Sequence, residues 1–322
     1  MECQSSSAMR ITVLHLDLGI GGAERLVVNT CCALQDLGHE ISIVTSHHNL
    51  SHCFEETKPG GRLHGCIRVY GDWMPRQLFG RFTALFSMLR MLYVAFVVAL
   101  MHLLRIARQD FVFLDGVSAP IPILKAVGMT VLFYCHYPDK LLVKDYGGPL
   151  KRSYRWLMDA IEENSTGCAD FIAVNSTFTA EEFRRAFRLI LLFNCVPEII
   201  NPTVENDILL PDYLERKMQR SRSLIEYTEG ADFVFASINR FERAKKLELA
   251  IGALRKLKDR IQGNYPTRKI VVKLVVAGGY DPQLAENKQY LDDLKVIAKK
   301  LEVEDDVVFR TSISRGTIAD IP

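Results

Sequence analysis

No histidine follows His136 and no cysteine follows Cys195 in this chain of 322 residues, although it contains eight of each. No Cys-x-x-Cys pair occurs, which argues against a zinc ribbon or a thioredoxin-type site. H-E-x-x-H, D-x-D and Walker patterns are absent too, so no metal or cofactor is expected. Charge of one sign is also lacking. Forty Lys plus Arg face 38 Asp plus Glu, and a net +2 gives no reason to expect nucleic-acid binding. The residues from Met1 to Ser7 show no basic stretch followed by an apolar run, so no secretory signal is read there. The scattered cysteines are therefore expected to be reduced core residues, and the Asn49, Asn164 and Asn175 sequons chance matches, in a cytosol-facing protein.

At about 150 residues per domain, the length suggests two domains. Apolar runs alternate with helical periodicity through the first half. Ile11–Leu16, Ile41–Thr45, Phe111–Leu114, Val131–Cys135 and Phe171–Val174 read as buried strands. A second alternating set has strands at Phe233–Ile238, Ile270–Val276 and Val307–Phe309, with helices at Leu247–Lys258 and Tyr290–Leu301. Continuous rather than alternating apolar strands indicate parallel sheets with both faces covered, an α/β fold. The expected organisation is a first domain over residues 1–195 and a linker with a surface helix over 196–230. A second, partial domain over 231–322 completes it.

The segment Leu85–Ile106 is the most apolar. Only 14 residues separate Arg90 from Arg105, short of the about 20 needed to span a bilayer. A core helix, a helix lying in a membrane surface and a full span all remain open. Membrane contact is the expectation taken, because basic residues flank the apolar stretch.

Three groups of residues are placed to carry chemistry. Gly21, Gly22 and Glu24 sit where the first strand yields to the first helix. There, glycines permit a tight turn, and free N–H groups can meet an anion. Glu24 occupies the third position of what would otherwise approach a dinucleotide fingerprint, so that reading is set aside. His136, and with less force Asp115, end buried strands, where parallel sheets open onto ligands. In the second half, Arg240 and Lys245 belong to four cations crowded between Arg240 and Lys246 at a strand's carboxyl end. Gly278 and Gly279 add a second glycine turn. Such cations suit a diphosphate.

Together these strings resemble the retaining glycosyltransferases of family 4. The resemblance is carried by His15–Val27, Gly71–Arg76, Phe133–Asp139 and Ser237–Arg243, within residues 9 to about 312. It extends to the mannosyltransferases that build dolichol-linked oligosaccharide. It implies a GT-B fold of two Rossmann-like domains and transfer of mannose, with retention, from GDP-mannose to a dolichyl-diphosphate-linked oligosaccharide (α-1,3 then α-1,6). The implied location is the cytosolic face of the endoplasmic reticulum membrane, with other mannosyltransferases of the pathway as candidate partners. By resemblance, His136 lies near the reacting sugar and Arg240 with Lys245 neutralises the diphosphate. Gly21 and Gly22 approach the donor, with Glu24, Gly278 and Gly279 in the same donor-binding set. Family members also carry a spaced pair of glutamates in the second domain that this chain lacks. The second domain is therefore expected to be C-terminally truncated. The competing expectation is a catalytically impaired fragment that binds acceptor or lipid at most.

Overall fold

The structure, a computed structural model, describes residues 8–78, 82–143, 147–188, 196–203, 230–280 and 285–311. It divides into two units, Met1–Thr203 and Val204–Pro322.

The first unit is a seven-stranded parallel sheet. Its strands are β1 (Arg10–His15), β2 (Glu40–Thr45), β3 (Ile67–Val69), β4 (Phe111–Asp115), β5 (Val131–Cys135), β6 (Phe171–Val174) and β7 (Glu198–Ile199). Their spatial order is β3-β2-β1-β4-β5-β6-β7. The order reverses between β1 and β4, so the connections leave these two strands in opposite directions and open a crevice at their carboxyl ends. Alternate residues of each strand feed two cores. Leu14, Leu114 and Phe133 pack with Met91, Val94 and Val98 on one face, and Val13, Ile43 and Phe113 with Val27 and Val28 on the other. Two covered faces explain the unbroken apolar runs.

The helices of this unit are α1 (Gly22–Asp36), α2 (Thr83–Leu103), α3 (Ile121–Ala126), α4 (Asp139–Leu142), α5 (Pro149–Thr166) and α6 (Thr177–Ala186). Ser176 caps α6 by accepting the Thr179 N–H at 3.2 Å. Helix α2 is long and apolar enough to cross a membrane by length and composition. Yet Met91, Val94 and Ala95 are fully enclosed in the core on the sheet, while Leu89, Phe96, Leu100 and Leu103 stand exposed. The core reading holds for the face of α2 turned to the sheet, and the other face is an exposed apolar stripe. A full span would tear the first face out of the core.

The short strands β3 and β7 have no signal in the sequence, because two or three residues are too few to show a period. Strand β7 pairs with β6 and carries the first unit to Thr203, past the expected boundary at 195. Most of the expected linker, with its surface helix, lies outside the described residues. Cys31, Cys32, Cys53, Cys66, Cys135 and Cys168 are free thiols. Burial pushes the Cys31 and Cys135 thiols far up, as suits unreactive core residues. Cys3 and Cys195 lie outside the described residues.

The second unit carries β8 (Phe233–Ile238), α7 (Glu248–Asn264), β9 (Val272–Gly278), α8 (Ala285–Lys300) and β10 (Val307–Thr311). Its parallel sheet has the order β10-β9-β8. The core is built by Ile251, Leu254, Leu274, Val276, Leu294 and Phe241. Among the described residues β8 pairs with β9 alone, and Phe233, Phe235 and Ile238 are exposed.

Candidate functional site

The crevice between β1 and β4 holds a buried carboxylate between two histidines. His15 is the last residue of β1, Asp115 the last of β4, and His136 follows β5. The three strands lie side by side within the sheet order, so three residues far apart in sequence converge. The Asp115 carboxylate is the hub. His15 Nδ1 lies 2.8 Å from its Oδ2 and His136 Nε2 lies 2.7 Å from its Oδ1. The Asp115 side chain is 1% exposed, His15 7% and His136 27%, so only His136 reaches outward. An ionised hub accepts a proton bond from each ring and thereby fixes both orientations. The Asn175 amide also donates to the His136 carbonyl at 3.0 Å.

Glu24 closes the other side of His15. Its Oε1 lies 3.9 Å from His15 Nε2, an ionic contact rather than a hydrogen bond. Burial alone would lower the His15 pKa, but the carboxylates of Asp115 and Glu24 outweigh it and raise the pKa to about 10. For Asp115, burial pushes upward and the two histidines pull harder downward, so the carboxyl stays ionised below its usual range. Glu24 follows the same rule: burial raises its pKa, and His15 with a backbone N–H lowers it further.

The glycines differ in what they do. A Cβ on Gly21 would sit 2.2 Å from Glu24 Oε2, so the absence of a side chain there lets the carboxylate fold back over the start of α1. A Cβ on Gly22 would meet nothing within 4 Å. The open helix start expected from the sequence is therefore partly occupied by the protein's own carboxylate, and the free space lies over Gly22.

A cavity of about 360 Å³ adjoins this cluster. Its walls include Leu16 after β1, Val117 and Ser118 after β4, Thr83 and Ser87 of α2, and Glu162 of α5. Glu162 accepts the backbone N–H groups of Asp139 and Lys140 at 2.7 and 3.0 Å, which ties down α4. Burial pushes its carboxyl up to about 7 against those two bonds.

In the second unit, the β8 carboxyl end and the glycine turn after β9 form one motif. The Asn239 and Phe241 N–H groups bond to Ala277 and Gly279 carbonyls at 2.9 and 3.0 Å. Gly278 has φ +150, and a Cβ there would fall 1.9 Å from the Asn239 carbonyl oxygen; only glycine fits. Gly279 lies under Arg240, where a Cβ would be 3.2 Å from its Cγ. Arg240 is 62% exposed and pairs with Glu242 at 3.2 Å. Lys245 is exposed and pairs with no carboxylate among the described residues. Arg243, by contrast, is held by Asp293 and lies over the Tyr290 ring. The four cations thus do not act alike: one braces the fold and three face outward.

The structure therefore brings together the residues expected in each half. His136 joins Glu24, Gly21 and Gly22 around the first strand, and Arg240, Lys245, Gly278 and Gly279 share one turn. The sequence reading left out His15. Its signal was a histidine ending an apolar strand, the same signal that marked His136. Among the described residues no group of three or more His, Cys, Asp or Glu side chains is placed to hold a metal ion.

Both units have the parallel α/β architecture of GT-B glycosyltransferases. A glycosyltransferase from Rickettsia africae superposes with a TM-score of 0.59 at 14% identity, covering 98% of this chain and 72% of that one. A sucrose-phosphate synthase from Thermosynechococcus elongatus gives 0.64 at 15%, covering 97% and 72%. These likenesses establish the fold alone. The family model Glycosyltransferase Family 4 matches residues 20–190, and Glycosyl transferases group 1 matches residues 225–321. The chain belongs to glycosyltransferase family 4.

Within it, the chain is similar to proteins named α-1,3/1,6-mannosyltransferase ALG2. Identity is 40% to that of Rhizomucor pusillus over 91% of this chain and 61% of the relative. It is 38% to that of Saccharomyces cerevisiae over 95% and 57%, and 36% to that of Mus musculus over 94% and 69%. The chain thus spans about three-fifths of the length of the relatives it matches.

Proposed function

We propose that this chain carries acceptor-side and donor-side residues of an α-1,3/1,6-mannosyltransferase. It would move mannose from GDP-mannose to a dolichyl-diphosphate-linked oligosaccharide at the cytosolic face of the endoplasmic reticulum membrane. The observation that carries the reading is the Asp115-bridged histidine pair at the switch point of a family 4 sheet. The names of the similar mannosyltransferases support mannose as the sugar, and the lipid-linked acceptor rests on the family resemblance of the sequence.

In the transfer, the bond between the mannose anomeric carbon and the donor diphosphate breaks. A bond to the acceptor hydroxyl oxygen forms on the same face, and the hydroxyl proton passes to the departing diphosphate. His136, oriented by Asp115, hydrogen-bonds the reacting sugar. Arg240 and Lys245 offset the charge that grows on the leaving diphosphate. Gly22 leaves room for a close approach over α1. The exposed apolar stripe of α2 rests on the bilayer that carries the acceptor.

The direct test incubates the purified chain with radiolabelled GDP-mannose and dolichol-linked mannosyl-chitobiose. Lipid-linked product that disappears in Asp115→Asn is expected. No product from the chain, alongside a productive full-length relative, would refute the assignment of activity to these residues.

A further inference from the structure

The cluster around Asp115 has a fixed proton count. An ionised carboxylate offers lone pairs and no proton, so each ring nitrogen that meets it must bring the hydrogen itself. For His136 that nitrogen is Nε2, 2.7 Å from Asp115 Oδ1. The neutral ring holds a single proton, which leaves a lone pair on Nδ1. Among the described residues no group bonds to His136 Nδ1, and the side chain is 27% exposed where β5 opens onto the crevice. The nitrogen left for a ligand is an acceptor.

His15 supplies the charge that keeps Asp115 ionised. Its Nδ1 meets Asp115 at 2.8 Å and its Nε2 faces Glu24 at 3.9 Å, so two carboxylates hold one buried imidazolium between them. The bare Cα of Gly21 makes the second contact possible, since a Cβ there would fall 2.2 Å from Glu24 Oε2. The other titratable groups acting with Asp115 are Tyr134 and Cys135 of β5, and neither brings a cation. Tyr134 donates its hydroxyl to the Ile200 carbonyl at 2.7 Å, and burial pushes the Cys135 thiol up. Without the His15 charge, the buried carboxylate must find a proton elsewhere. Either His136 takes up a second one, or Asp115 is protonated and donates to Nε2, which sends the His136 proton to Nδ1. Both routes turn the outward acceptor into a donor.

We propose that His15 is a positioning residue: through Asp115 it holds His136 as a hydrogen-bond acceptor, and the group that His136 receives is a hydroxyl and not a phosphate oxygen. A sugar hydroxyl brings a proton to a lone pair, whereas a deprotonated phosphate oxygen meets it with another lone pair. The inference rests on the proposed function only in taking that hydroxyl to belong to a sugar.

Nitrogen NMR of the whole chain, labelled with 15N-histidine, tests this directly, because ring nitrogens with and without a proton resonate far apart. His136→Gln assigns the signals. The neutral His136 of the parent should show a proton on Nε2 and none on Nδ1. His15→Gln keeps a donor for Asp115 but no charge, so the lone-pair signal of Nδ1 should appear only about one pH unit or more above its parent position. His15→Lys restores the cation and should restore the parent titration. Glu24→Gln, made at a partly exposed side chain, should let His15 lose its proton about one unit or more lower. Methyl α-mannoside should move the Nδ1 resonance of neutral His136, and inorganic diphosphate should not. A neutral parent ring protonated on Nδ1 overturns the proposal. So does an unmoved His136 titration in folded His15→Gln, or a response to diphosphate and none to the mannoside. If the spectra hold and no mannose is transferred, the inference stands and the transferase reading falls. If mannose is transferred while His15→Gln leaves the His136 proton in place, the reverse holds.

Discussion

The two units place polar residues at the same kind of point, the carboxyl ends of parallel strands, yet treat them in opposite ways. In the first unit His15 and Asp115 are buried and bonded to each other. In the second, Arg240 and Lys245 stand in solvent on a turn shaped by Gly278. Buried charges that satisfy one another hold their geometry before any ligand arrives, whereas exposed cations acquire theirs from the ligand they meet. Substitutions in the first unit should therefore damage stability and function together. Those in the cation turn should separate the two.

The largest effect is expected at the hub. Asp115→Asn leaves two histidines facing a neutral amide and should destabilise the first unit by about 3 kcal/mol, read by urea unfolding. Next comes Gly278→Ala, which drives a Cβ into the Asn239 carbonyl. A loss of about 1–3 kcal/mol confined to the second unit is expected, visible as an earlier unfolding phase by hydrogen exchange. If both units lose stability equally, the contrast between them fails.

A pH titration sharpens the comparison further. The raised pKa of His15 means that its stabilisation is complete below about 6.5, the unfolded histidine value. That stabilisation is lost as pH climbs through about 10. The first unit should weaken across that window, and His15→Gln should flatten the dependence. An equal slope in the variant would remove His15 as the cause. Smallest in stability is Lys245→Ala, which should shift unfolding by less than about 0.5 kcal/mol. GDP affinity should nevertheless fall about tenfold and lose part of its salt dependence. Unchanged affinity would remove Lys245 from the donor site.

Much of this was legible in the sequence, for a physical reason. Parallel strands covered on both faces are continuous apolar runs, so Val131–Cys135 and Phe171–Val174 are strands within the bounds read from sequence. A strand's end is equally visible, which is why His136, Arg240 and the Gly278 turn could be named. What a linear string hides is which ends become neighbours. Asp115 looked secondary because nothing in Leu114-Asp115-Gly116 shows that β4 lies between β1 and β5. Arg243 looked like its neighbours because its partner Asp293 lies on a distant helix. Arg90 read as a basic flank of the apolar stretch suited to a membrane surface, although the fold buries it to 3% exposure.

Helix α2 cannot roll. With Met91, Val94 and Ala95 locked against the sheet, its exposed stripe has a single direction available to it. A peripheral helix on a loose tether would let a protein tumble at a surface, but one rooted in the core transmits its own attitude to the whole first unit. Any plane that the stripe rests on becomes a fixed horizon for the crevice at the helix's first turn. A substrate confined to that plane would then search two dimensions rather than three and arrive always from the same side.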